Sequence, residues 1–116
     1  MVHLRAALAA DGVRAARDLA GVPHGTPVRV AGHVIVRQRP GTAKGFCFLT
    51  LEDETGTANA VVTPRLYERA RLVLNTSPLL EVAGRLERVD GVTHVKAAGF
   101  RRLEAPMGMP EGHDYW

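Results

Sequence analysis

An all-β chain with short helices, folded as a five-stranded Greek-key barrel in the order β-β-β-α-β-β, follows from three features of the sequence. Residues 28–37 follow a period-two pattern, that of a half-buried strand, and 46–52 and 57–62 read as two more strands on either side of a tight turn. A capped helical stretch interrupts the strands after residue 62, and two further strand-like stretches meet at Asp90-Gly91, a strong hairpin signal.

Residues 2–10 and 13–20 read as two short helical stretches around Asp11-Gly12, with Leu4, Leu8, Val13, Ala16 and Leu19 as their apolar stripe, so 1–27 is expected to be a helical lead-in and linker. Gly21-Val22-Pro23-His24-Gly25-Thr26-Pro27 breaks helix and opens the main body, residues 28–103. In the first strand Val28, Val30, Val34 and Val36 alternate with Arg29, Ala31, His33, Ile35 and Arg37, and Gly32 at its centre permits bending. Gln38 to Gly45 is a loop carrying Arg39 and Lys44; Phe46 to Glu52 and Thr57 to Val62 are strands around the turn Asp53-Glu54-Thr55-Gly56.

Thr63 can cap free helix amides and Pro64 suits the first helical position. Leu66, Ala70, Val73 and Leu74 then share one face, and Asn75-Thr76-Ser77-Pro78 stops the helix. Leu79 to Val89 and Val92 to Phe100 complete the set. A helix between the third and fourth strands is the layout of the OB-fold barrel. An SH3-like barrel would lack that helix, and a ferredoxin-like fold would need one after its first strand. Residues 104–116, with Pro106, Gly108, Pro110 and Gly112, are expected to form a flexible acidic tail.

The 116 residues suit one domain, and 46% hydrophobic with 23% charged residues is a globular composition. Net charge is +3, but 28–103 holds twelve Lys/Arg against seven Asp/Glu, while the tail carries three acids and no Lys or Arg. A basic body favours a polyanionic partner, although ordinary soluble proteins also carry such a surplus. The one cysteine, Cys47, excludes an internal disulfide, and the five histidines are too dispersed for metal-ligand spacing, so no metal or cofactor is expected. No signal segment opens the chain and no apolar run nears the ~18 residues of a membrane helix, so the expectation is a cytoplasmic protein without a membrane partner.

Barrels of this kind bind strands across the face of strands 2 and 3, flanked by the loops joining strands 1–2 and 4–5. Alternation places Cys47, Leu49 and Leu51 on one face of strand 2 and Phe46, Phe48 and Thr50 on the other. If the first set is interior, the two rings are stacking platforms for bases, each worth ~1–3 kcal/mol. The opposite arrangement, rings inside and leucines packed outward, satisfies the same alternation. Asn59 is expected beside Phe48, where its amide can meet a base edge. Arg37, Arg39 and Lys44 at the first loop, Arg85 and Arg88 approaching the other, and Lys96 on strand 5 are candidate phosphate contacts.

Catalysis finds no such support. Gly41-Thr42-Ala43-Lys44-Gly45 lacks the Gly-Lys-Ser/Thr order of a phosphate loop and precedes a strand. Glu52-Asp53-Glu54 enters a turn, where three consecutive carboxylates cannot converge on one ion, and no nucleophile and base share a suggestive spacing. No catalytic residue is assigned.

The stretch Val30-Ala31-Gly32-His33-Val34-Ile35-Val36-Arg37-Gln38-Arg39-Pro40-Gly41-Thr42-Ala43-Lys44-Gly45, with Phe48-Leu49-Thr50-Leu51-Glu52-Asp53-Glu54-Thr55-Gly56, resembles the C-terminal OB domain of bacterial C-family DNA polymerase alpha subunits. The run from Arg37 to Gly45 is similar to the error-prone, damage-induced, translesion branch, and Gly112-His113-Asp114-Tyr115-Trp116 resembles its Asp-aromatic ending. The resemblance implies a module that holds single-stranded DNA template during lesion bypass in DNA repair and replication, with the polymerase carboxylates elsewhere. The PHP, palm, thumb and fingers regions are absent from this chain. Implied partners are other polymerase domains, an inactive Y-family-like subunit and the sliding clamp. Phe48 to Gly56 is also similar to class II synthetase anticodon domains, which keeps tRNA anticodon binding as an alternative. A protein-interaction OB module is another, and a nuclease a remote one.

Overall fold

The alternating stretches close into a five-stranded barrel in the computed structural model, which describes residues 7–104. The strands are β1 (Pro27–Gln38), β2 (Cys47–Asp53), β3 (Gly56–Val62), β4 (Leu79–Val89) and β5 (Val92–Arg102), with helix α1 (Pro64–Thr76) between β3 and β4. Around the barrel they run β1-β2-β3-β5-β4 and return to β1. β3 and β5 pair in parallel, Ala60 facing Val95, and every other pair is antiparallel.

Inward-facing Val30, Leu49, Leu51, Val82, Leu86 and Phe100 fill the interior. Helix α1 packs on it through Leu66, Tyr67, Ala70, Val73 and Leu74. Its start is the expected one: Thr63 Oγ1 accepts a hydrogen bond from the Leu66 amide at 3.4 Å, with Pro64 in the first turn. Tyr67 joins the stripe because it adjoins Leu66 on the buried arc.

Strict alternation puts Val34 and Val36 on one face of β1, and the barrel does not. Val34 pairs with Leu51 but Val36 pairs with Thr50, leaving Ile35 as the extra residue of a β-bulge. Val34 therefore packs against the core while Val36 turns to solvent. Gly32 answers a close approach: a Cβ there would lie 2.6 Å from the Glu52 carbonyl oxygen on β2.

The lead-in departs further from expectation. Residues 7–10 are helical, but 13–15 are not, and helix resumes only as the 3-10 segment Ala16–Gly21. The Arg14 amide donates to Arg29 O at 2.8 Å, pairing this stretch with β1, and the Ala16 amide donates to Asp53 Oδ2 at 2.8 Å. Both amides thus leave the helical ladder for partners on the barrel, and tertiary pairing outweighs the helix propensity of an Ala/Arg-rich stretch. Leu8 and Val13 form a satellite cluster with Ala31, Leu79 and Leu103, while Ala16, Leu19 and Val22 join the main core. Leu4 and the tail from 105 to 116 lie outside the described residues.

Glu81 on β4 is 0% exposed and held between two guanidiniums. Arg29 Nε donates to Oε2 at 2.9 Å and Arg101 Nη2 to Oε1 at 2.7 Å. Arg29 also reaches the lead-in, donating to Asp11 Oδ2 and Asp11 O, both at 2.7 Å. The hydrogen bond and charge of Arg29 hold the Asp11 carboxyl below its usual range.

Cys47 is 3% exposed, and burial pushes its thiol up, the nearby Arg39 and Arg37 offsetting only part of that. A buried thiol that resists ionisation should react slowly. In a timed assay with a chromogenic disulfide reagent, Cys47 stays protected in the native domain and is modified rapidly in denaturant; rapid native labelling would show that β2 opens locally. Among the described residues, no helix is long and apolar enough to cross a membrane.

Candidate nucleic-acid interface

Strand β2 resolves the two arrangements its alternation allowed. Cys47, Leu49 and Leu51 are interior, so Phe48 and Thr50 point outward, with Phe48 38% exposed. Phe46 stands just before the strand, half-buried, its amide donating to Ala43 O at 3.1 Å. The outer face of β2 thus presents one strand-borne ring, with the second at its loop end.

Register sets the neighbours of that ring. Across the barrel wall one row reads Gln38, Phe48, Val61, Lys96, Arg85, each paired with the next. A second row reads Val36, Thr50, Asn59. Asn59 therefore faces Thr50, and Val61, not Asn59, lies directly opposite Phe48. The expected neighbour is displaced by two residues along β3, a diagonal position still on the same face. Thr50 Oγ1 donates to Asn59 Oδ1 at 3.0 Å, which fixes the amide and leaves its nitrogen to donate outward. Beside Asn59 lies a hollow of about 220 Å³, lined also by Arg17, Leu19, Thr57 and Thr93.

The candidate cations divide. Lys96 is exposed and carries no ion pair among the described residues; Arg85, its cross-strand partner, is exposed and donates to Gly25 O at 2.8 Å. Lys44 is exposed in the β1–β2 loop, with a left-handed backbone at φ 55°. Arg39 lies 4.2 Å from the centre of the Tyr67 ring and pairs with Glu68 at 3.4 Å, drawn toward α1.

Two arginines are turned away from the face. Arg37 donates to Leu74 O at 2.7 Å and Ser77 O at 2.8 Å, satisfying carbonyls at the C-terminal end of α1 and complementing its dipole. Arg88 donates to Thr93 Oγ1, Val22 O and Leu19 O at 3.1, 2.9 and 3.0 Å, clamping the end of the 3-10 segment to the β4–β5 hairpin. Their guanidiniums are occupied by backbone carbonyls rather than gathered beside Phe48.

The structure thus brings together Phe48, Thr50, Asn59, Lys96 and Arg85. Val61 and Val36, which sequence reasoning did not single out, complete the apolar part of the face. The pairing of Phe48 with Val61 depends on register, and the exposure of Val36 on the Ile35 bulge; neither leaves a local signal. A flat ring beside an aliphatic chain has the shape to accept a base face, the paired amide and hydroxyl have the chemistry to meet base edges, and the two cations suit phosphates. Among the described residues, no group of three His, Cys, Asp or Glu side chains is placed to hold a metal ion. Asp53 instead accepts from the Thr55 amide and hydroxyl, at 2.7 and 2.6 Å, and so supports its turn.

Known proteins share this fold and its family. The family described as OB-fold nucleic acid binding domain matches residues 19–103. The chain is 52% identical over 103 residues to the error-prone DNA polymerase of Caulobacter vibrioides, covering 89% of this chain and 10% of that protein. It is 55% identical over 100 residues to the error-prone DNA polymerase of Pseudomonas fluorescens, covering 86% and 10%. It therefore spans about a tenth of the length of these relatives. Asparaginyl-tRNA synthetase from Pyrococcus horikoshii shares the fold, with a TM-score of 0.60 at 24% identity over 73% of this chain and 21% of that one. With the barrel, its helix and its outward ring in place, the chain belongs to the OB-fold nucleic-acid-binding domain family and is homologous to a segment of error-prone DNA polymerases.

Proposed function

We propose that this domain binds single-stranded DNA and, within an error-prone polymerase, holds the template strand during translesion synthesis. The observation that carries the reading is the row Phe48, Val61, Lys96, Arg85: an exposed ring and an aliphatic neighbour next to two cations on one continuous face. Bases must be unpaired to offer a flat side to Phe48, whereas a duplex keeps those sides covered. DNA is preferred to RNA because the relatives at 51–55% identity are named DNA polymerases. The domain's own contribution is grip without a covalent step. The inactive Y-family-like subunit and the sliding clamp belong to this reading as partners of the whole polymerase.

Titration of the purified chain with oligo-dT at two salt concentrations, beside a duplex and an anticodon stem-loop, tests it. Single-stranded DNA binds best if the reading holds, and a clear tRNA preference overturns it. The salt dependence can be assigned to a residue. Each phosphate contact on a single strand contributes a slope of about −0.7 in log K against log salt. Lys96→Gln therefore makes the slope shallower by roughly that amount. An unchanged slope would remove Lys96 from the interface.

A further inference from the structure

A second hollow, of about 680 Å³, lies on the outer surface of β1, β4 and β5, around the wall from Phe48. Its floor is nearly bare backbone: Ala83, Gly84, Ala97 and Ala98. The β4–β5 register shifts between Ala83 and Gly84, and a Cβ on Gly84 would collide with the Lys96 carbonyl, so a larger floor residue is excluded there. The rim carries Arg14, Arg29, Arg85 and Lys96 against one acid, Glu87. Glu87 is engaged by His94 at 2.9 Å, and Arg29 is neutralised by Glu81 and Asp11. Arg14, Arg85 and Lys96 then outnumber Glu87 three to one, a surplus of positive charge. The Arg14 guanidinium has no hydrogen bond or ion pair among the described residues, and its backbone alone ties it to β1.

We infer that this groove is a second subsite for the same DNA strand, one that takes the sugar–phosphate backbone and no bases. The inference rests on the proposed single-strand binding. Two observations set the occupant. No aromatic side chain lines the groove, so it offers phosphates charge but bases nothing to stack on. And Lys96 and Arg85 belong both to the Phe48 row and to the groove rim, so the two surfaces are continuous. From Phe48 to Arg85 is three strand spacings, about 14 Å. A strand leaving the ring over Lys96 runs directly into the hollow, with its phosphates led toward Arg14.

The test compares oligo-dT of about four and about twelve nucleotides, within the ~4–16 nucleotides an OB fold occupies. In Arg14→Gln the longer oligonucleotide binds about 3- to 10-fold more weakly and its salt slope falls by roughly 0.7, while the shorter one binds as before. Ala98→Glu, which places a negative charge on the exposed floor, has the same length-selective effect. Melting curves of both variants confirm folding. Unchanged binding of both lengths in both variants, with Phe48→Ala still weakening both, overturns the groove subsite alone and leaves that surface to a protein contact. Equal weakening of both lengths overturns a separate subsite. No effect from any of the three substitutions sinks the single-strand reading itself.

Discussion

Replacing Phe48 by alanine lowers affinity for oligo-dT by roughly 5- to 150-fold, the equivalent of ~1–3 kcal/mol for one base–ring stack, and leaves the salt slope unchanged. The ring is 38% exposed and sits outside the barrel, so its loss opens no core cavity and the melting temperature moves little. Phe48→Trp, which keeps a flat ring, restores most of the affinity. Fluorescence anisotropy with a labelled oligonucleotide reads both variants beside the wild type. Wild-type affinity in Phe48→Ala would favour the protein-interaction reading, in which the outer face of β2 meets no bases.

The second large effect is on stability. Glu81→Gln keeps the shape of the side chain but leaves Arg29 and Arg101 facing a neutral amide in a site with no solvent access to residue 81. Breaking a buried charge pair from one side costs about 3–5 kcal/mol. Both guanidiniums retain partial exposure, which argues for the lower figure, about 3 kcal/mol. In a domain of this size that lowers the melting temperature by roughly 12–24 °C. A loss under about 1 kcal/mol in thermal or urea denaturation would show that solvent replaces the carboxylate without difficulty.

The acid side of the stability curve tests the same brace. The Asp11 carboxyl titrates below its usual range in the folded state because Arg29 stabilises its charge. Its contribution is therefore present above the unfolded carboxylate pKa and is lost as pH falls through the lower folded value.

The order of elements was legible because turns and caps are local. Asp90-Gly91 and Thr63-Pro64 announce their structures through their own backbone preferences, and the structure places a hairpin and a helix start there. The inside of β2 was legible only as two alternatives, since alternation gives two faces and not which one is buried. What decides is closure with β1 and β3, a property of the whole barrel. Arg37 and Arg88 read as available cations because composition registers charge and not the carbonyls that a fold brings opposite. Those carbonyls, on Leu74, Ser77, Val22 and Leu19, lie far away in sequence. The stretch 13–15 misleads for a related reason: its helix propensity is real, but β1 offers the Arg14 amide a partner that no window of sequence contains.

Ile35 has an unusual standing among the strand residues. It is the surplus unit of β1, with Val34 and Val36 on adjacent rungs of β2. A chain shortened by that one residue would keep each later side chain of the strand on its present side, with Arg37 still aimed at the end of α1. Loss of a residue from the unbulged β2 would instead turn the remainder of that strand inside out. Within β1, tolerance of a deletion is thus concentrated at this one residue, a few positions from the loop that flanks the proposed DNA path.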